Sequence, residues 1–130
     1  MVITDRITDP NLLDDRWRIY DAEIAWIVET HKLPFRRFET LRTKERQKYL
    51  YRNGKSKKVL SKHLKGLATD WVPVLDGKWK WHKDWMIVLA YLVRIYMKDK
   101  PVRWGGDWDM DSEFWDERFF DGAHYEWIER

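Results

Sequence analysis

Apolar and aromatic positions in the first third of the chain recur at spacings of three and four. Leu13, Trp17, Tyr20, Ile24, Ile27 and His31 form one such stripe, the pattern of a helix that buries a single face. It predicts a helix from Asn11 to about Lys32, begun at Pro10 or Asn11 and stopped by Pro34. Arg36 to Leu41 reads as a short strand. Thr43 to Arg52 has helix-forming composition and ends at the turn pair Asn53-Gly54. Leu67 to Leu75 is apolar and β-branched enough for a strand, with a turn at Asp76-Gly77. Trp79-Lys80-Trp81 alternates and fits a hairpin partner or a loop. Asp84 is a cap for a helix from Trp85 to about Lys98 that is apolar almost all round, which predicts a place across the centre of the domain. Val102 to Trp104 reads as a strand, Gly105 to Asp107 as a loop, Ser112 to Arg118 as a brief helical turn and Ala123 to Ile128 as a last strand. No internal repeat or low-complexity tract interrupts this order. The expectation is an α+β fold: a small single domain with a short antiparallel sheet flanked by helices.

Composition narrows the chemistry. At 130 residues the chain has room for one core. There is no cysteine, so disulfides and thiolate ligands are excluded and any metal must be held by His, Asp or Glu. The net charge of +3 suits attraction to an anionic polymer but selects none. Ten tryptophans are a heavy load; some build the core, and others suit a groove where one ring edge is dry and the other wet. Met1 to Pro10 carries Asp5, Arg6 and Asp9 and does not read as a secretory signal. The most apolar run, Trp85 to Met97, is short for a membrane span and contains Arg94. A soluble protein made in a cytoplasm is the expectation.

Two stretches carry candidate chemistry. His63 and Asp70 lie an odd number of positions apart, so they cannot share a face of one regular strand. They meet if His63 sits on a loop, the chain turns at Gly66, and Leu67 to Asp70 enters a strand. Near the C-terminus, Asp121-Gly122-Ala123-His124-Tyr125-Glu126 brings another histidine close to two carboxylates. Two histidines and an aspartate make a three-ligand zinc site with a fourth position open for water, and a neighbouring carboxylate can serve as base.

These residues resemble a known family. Ser61-x-His63-x-x-Gly66-x-Ala68-x-Asp70 followed by Asp121-x-x-His124 is similar to the zinc peptidases of the VanX/VanY D-alanyl-D-alanine peptidase group, which includes the L-alanyl-D-glutamate endopeptidases found as phage endolysins. Arg42-Thr43 with Gln47 resembles the family's helix start, and Trp104-Gly105-Gly106-Asp107-Trp108 resembles a loop of the endolysin branch. The resemblance runs from Leu41 to Trp127. It implies a zinc site on the sheet with His63, Asp70 and His124 as Zn2+ ligands, Asp121 as general base, and Arg42 stabilising the oxyanion or holding a substrate carbonyl. It further implies that Ser61 and Trp108 contact substrate. Glu126, two positions after His124 and on its face in a strand, is the rival base.

The implied protein is a zinc metallopeptidase that cuts the L-Ala–D-Glu bond of the peptidoglycan stem peptide. Residues 1–130 would form one catalytic domain with no separate cell-wall-binding domain. It would be a monomer that binds no nucleic acid and does not insert stably in a membrane. It would collect in the host bacterial cytoplasm until a holin-type partner opens the way to the periplasm and wall. A D-alanyl-D-alanine carboxypeptidase is the near alternative. From another class, the lysines between Lys55 and Lys65 with exposed tryptophans would suit a nucleic-acid-binding module, with a steep salt dependence. A two-His-one-carboxylate iron site is disfavoured, because the tight H-x-D spacing is missing.

Overall fold

The alternation along one strand organises the molecule. A computed structural model describes residues 5–56, 61–107, 110 and 120–129. In it β1 (Phe35–Glu39), β2 (Ala68–Leu75), β3 (Lys78–Trp79), β4 (Val102–Trp104) and β5 (His124–Trp127) form an antiparallel sheet. Its order is β1-β2-β5-β4, with β3 folded back on β2. On β2, Thr69 and Trp71 point toward the helix α1 (Asp15–Thr30): Trp17 Nε1 donates to Thr69 Oγ1 at 2.9 Å, and Trp71 Nε1 donates to Asp21 Oδ1 at 3.2 Å. Ala68 and Asp70 therefore face the other way. The register sets Asp70 opposite His124 and Ala68 opposite Glu126 on β5, so these residues share that second face.

The helical face holds the core. Trp17, Ile24 and Ile27 of α1 pack with Met86, Leu89, Val93 and Met97 of α3 (Lys83–Met97) and with Trp71 and Tyr125 of the sheet. Each such fully buried apolar side chain contributes about 1.5–3 kcal/mol. Asp21 is fully buried among them and ion-paired with Arg37 at 2.8 Å; burial raises its pKa, and Arg37 opposes that rise.

Several boundaries differ from expectation. Pro10 to Leu12 form a separate 3-10 turn, and α1 starts later because the Asp14 side chain caps it, accepting from Arg16 N at 2.9 Å. His31 lies past the helix end and is exposed, so the buried stripe stops at Val28. α3 does not cross the centre: it buries one face, while Val88, Tyr91 and Ile95 stand exposed, Ile95 at 73 %. The sheet needs only one helical layer on this side. His82, not Asp84, is the α3 N-cap; Asp84 sits in the first turn, where its charge suits the helix dipole. The expected turn at Ser112 to Arg118 lies outside the described residues.

Two local features shape the second face. Between Arg37 and Glu39 the β1–β2 register shifts, so Glu39 comes opposite Asp70 where strict alternation would have turned it to the core. After a 3-10 turn over Lys62–Lys65, Gly66 takes the left-handed conformation with φ of 68°. A Cβ there would lie 2.8 Å from the backbone nitrogen of Asp14, which itself donates to Gly66 O at 3.0 Å. The short polar helix α2 (Lys44–Arg52), capped by Thr43, covers the same side and buries only Gln47.

Gly66→Ala is expected to destabilise the fold by at least about 1–3 kcal/mol from backbone conformation alone, with the clash against Asp14 added. Gly54, with φ of 69° and open space around it, provides the control. Denaturant unfolding of both variants should rank Gly66→Ala clearly worse; equal losses would refute the close approach at Asp14.

Candidate metal centre

His63, Asp70 and His124 come from three separate elements and converge. The 3-10 turn carries His63, β2 carries Asp70 and β5 carries His124. His63 Nε2 and His124 Nδ1 each lie 3.2 Å from Asp70 Oδ1. One ligand atom from each of the three residues falls within 4.8 Å of the others. All three are buried, His63 at 1 % exposure. The turn at Gly66 thus does what the sequence required, bringing a loop histidine to a strand carboxylate.

Hydrogen bonds fix which ring nitrogen faces inward. His63 Nδ1 lies 2.7 Å from Thr40 O; a carbonyl only accepts, so this nitrogen carries the proton and Nε2 is bare in the neutral ring. His124 Nε2 lies 2.8 Å from Glu126 Oε1, which leaves Nδ1 facing Asp70. Each imidazole therefore has its outer nitrogen held by an oxygen and its inner one aimed at a common point, the arrangement by which metal-ligating histidines are oriented. A tetrahedral zinc ion with ligand bonds of about 2.0–2.2 Å separates its ligands by roughly 3.3–3.6 Å, close to the 3.2 Å between Asp70 and each histidine. The donor set fits a metal ion, and these three residues could bind one.

Electrostatics tie the centre to its surroundings. Burial opposes ionisation of Asp70, but the two histidines outweigh it and hold its carboxyl well below the usual range. Burial likewise opposes the His124 cation, yet hydrogen bonds to Asp70 and Glu126 push its pKa up to about 9. Glu126 is drawn down to about 2 against the effect of burial, by His124 and by Arg103, whose Nη2 lies 2.7 Å away. Lys62 Nζ stands 3.3 Å from the same carboxylate.

Asp121 has the opposite shift: burial, then the charge of Asp70, raise it to about 6. It precedes β5 in a segment pressed against Gly105, where any Cβ would fall 2.2 Å from Asp121 O. That close approach explains Gly105, while a Cβ on Gly106 would fall within 2.3 Å of the Trp104 ring.

The triad opens into a cleft of about 700 Å³, whose walls include Arg42, Ser61, Trp81 and Asp121. Arg42 is nearly buried. It reaches Asp70 Oδ2 at 3.7 Å while donating to Glu39 Oε1 at 2.7 Å and Gln47 Oε1 at 2.8 Å. Glu39 also binds Arg46. Ser61 Oγ accepts from His63 N at 3.2 Å, capping the turn that carries the ligand. Trp108 lies outside the described residues. Sequence reasoning missed Glu39, Thr40 and Arg46. It gave Glu126 only as a rival base, whereas here Glu126 is engaged by His124, Arg103 and Lys62.

Two comparisons bear on the family and fold of the chain. The profile of the phage L-alanyl-D-glutamate peptidase family matches residues 22–128. Among solved structures the chain is similar to the Serratia marcescens L-Ala D-Glu endopeptidase ChiX, at 25% sequence identity and a TM-score of 0.69, over 96% of this chain and 91% of that one. Among curated protein sequences none matches.

Metal binding needs a bare His124 Nδ1, so below the raised pKa of about 9 it must expel a proton. Metal affinity should rise about tenfold per pH unit through neutrality and level off near pH 9. The sign for the metal-free fold is opposite. The His124 ion pairs stabilise it fully below the ordinary value of 6.5, and that contribution fades as pH rises through about 9. Calorimetry in buffers of different ionisation enthalpy should find about one proton released per metal ion at pH 7; no release would contradict the protonated His124. Glu126→Gln should weaken metal binding about 10- to 100-fold, read by competition with a chromogenic chelator.

Proposed function

The chain belongs to the phage L-alanyl-D-glutamate peptidase family, and we propose that it cuts the L-Ala–D-Glu bond of the peptidoglycan stem peptide with zinc at His63, Asp70 and His124. The observation that carries this reading is the shared carboxylate: Asp70 Oδ1 within 3.2 Å of an inward-facing nitrogen of each histidine. Zinc bound there would supply the Lewis acidity that makes a water molecule nucleophilic near neutral pH.

The remaining steps belong to side chains of the chain. Asp121 acts as the base, taking the proton from the attacking water and returning it to the departing amine of D-Glu. Its support is its position on the cleft wall and its coupling to Asp70, His124, His63 and Arg42. A raised carboxyl is suited to both halves of that transfer. Arg42 holds positive charge beside the triad, where negative charge develops on the substrate carbonyl. Glu39 and Gln47 fix its guanidinium. Ser61 lines the cleft next to His63 and hydrogen-bonds the substrate. Trp108 is assigned a substrate contact on the strength of the sequence resemblance alone. Glu126 is read as the residue that orients His124, since three partners already engage its carboxylate.

The same reading makes the protein a monomeric enzyme held in the host bacterial cytoplasm until lysis. It then reaches the wall with the help of a holin-type partner. Among the described residues no helix is long and apolar enough to cross a membrane.

Asp121→Asn is expected to lower kcat by about 10²- to 10⁴-fold with zinc content unchanged. Hydrolysis of a defined stem peptide, together with metal analysis of the same samples, checks this. Full activity in Asp121→Asn would remove Asp121 as the base, and loss of zinc would recast it as part of the metal site.

A further inference from the structure

The scissile bond dictates what must lie beside it. The amine of the stem peptide's L-alanine is joined through a lactyl group to an amino sugar of the glycan strand. A substrate presenting its L-Ala–D-Glu bond to the triad therefore carries a pyranose ring about two residue lengths away, roughly 7 Å on the acyl side.

Trp81 lies farther along the sheet on the wall of the same cleft. Lys80 N donates to Pro73 O at 2.8 Å, three residues beyond Asp70 on β2, or about 10 Å at a rise of about 3.4 Å per residue. From there the Trp81 ring packs on Phe38 with centroids 5.0 Å apart. Phe38 occupies the register shift beside Asp70 and Trp71, so the Trp81 ring lies back toward the triad. Both rings line the cleft that holds His63, Asp70 and His124.

The exposure of Trp81 has no use in the core. Trp17 is fully buried, whereas Trp81 is 56 % exposed on the cleft wall. It is nonetheless anchored. Phe38 meets Trp79 and Trp81 in edge contacts, each at 5.0 Å, and the Arg6 guanidinium sits 3.7 Å from the Phe38 ring centre. A large flat ring, fixed at its edge and left wet, offers a stacking surface. A pyranose suits it: its axial C–H bonds form an apolar face that lies on a π-cloud, while its hydroxyls stay at the rim in water.

We propose that Trp81, supported by Phe38 and Trp79, is a sugar-binding subsite that holds the glycan-strand amino sugar, so that the enzyme prefers stem peptides still attached to glycan. This inference rests on the L-Ala–D-Glu reading of the same site.

The test uses the zinc-loaded full chain with two substrates of identical peptide sequence, one carrying the disaccharide through its lactyl group and one acetylated at the L-alanine amine. Wild type should show a kcat/KM roughly three- to tenfold higher on the sugar-bearing substrate, mostly through KM. Trp81→Ala should erase that preference, losing several-fold more on the sugar-bearing substrate than on the acetylated peptide; Trp81→Phe should restore part of it. NMR titration of the indole N–H resonances with the free disaccharide provides a second readout, with the Trp81 signal expected to shift. No preference in wild type and no shift would overturn the subsite, as would equal losses on both substrates in Trp81→Ala. Failure of wild type to cut either substrate, with the Trp81 shift present, would instead overturn the peptidase reading and leave the subsite standing.

Discussion

One oxygen of Asp70 faces the inner nitrogens of two imidazoles at 3.2 Å each, and the second face of the sheet is built around that contact. A buried carboxylate is costly unless it is paired and hydrogen-bonded. Here it has two histidines and, at 3.7 Å, Arg42. Those partners need partners in turn. Thr40 O and Glu126 hold the outer nitrogens of the rings, Glu39 and Gln47 hold Arg42, and Arg103 with Lys62 holds Glu126. These linked contacts make the site and its support one unit.

The strand that supplies Asp70 also anchors the core. Thr69 and Trp71 are tied to α1 through indole hydrogen bonds, and the intervening residue is thereby turned toward the cleft. Core packing thus sets the direction of the central ligand. The same logic applies at Gly66, whose contact with Asp14 ties the His63 turn to the start of α1. Variants that loosen α1 should therefore disturb the metal centre without touching it.

Much of this was readable in the residues. The odd spacing of His63 and Asp70 demanded a turn, and Gly66 marked where. The apolar, β-branched composition of Leu67 to Leu75 marked β2 almost to its ends. What could not be read depends on tertiary pairing. Glu39 reaches the site only because the β1 register shifts, and Thr40 contributes a backbone carbonyl, which no side-chain pattern announces. The apolar run of α3 did not reveal that one of its faces would be left in water, because hydropathy records the residue and not the neighbour. Trp81 was visible as an alternating aromatic, while its place on the cleft depends on the β2–β3 turn.

The measurement that bears most directly on the central claim is the identity of the bond cut. Purified peptidoglycan would be digested by protein stripped of metal and by the same protein restored with zinc, and the released ends identified by mass spectrometry. The account predicts new N-terminal D-Glu that appears only with zinc. Released D-Ala in its place, or the same D-Glu ends from metal-free protein, would contradict it.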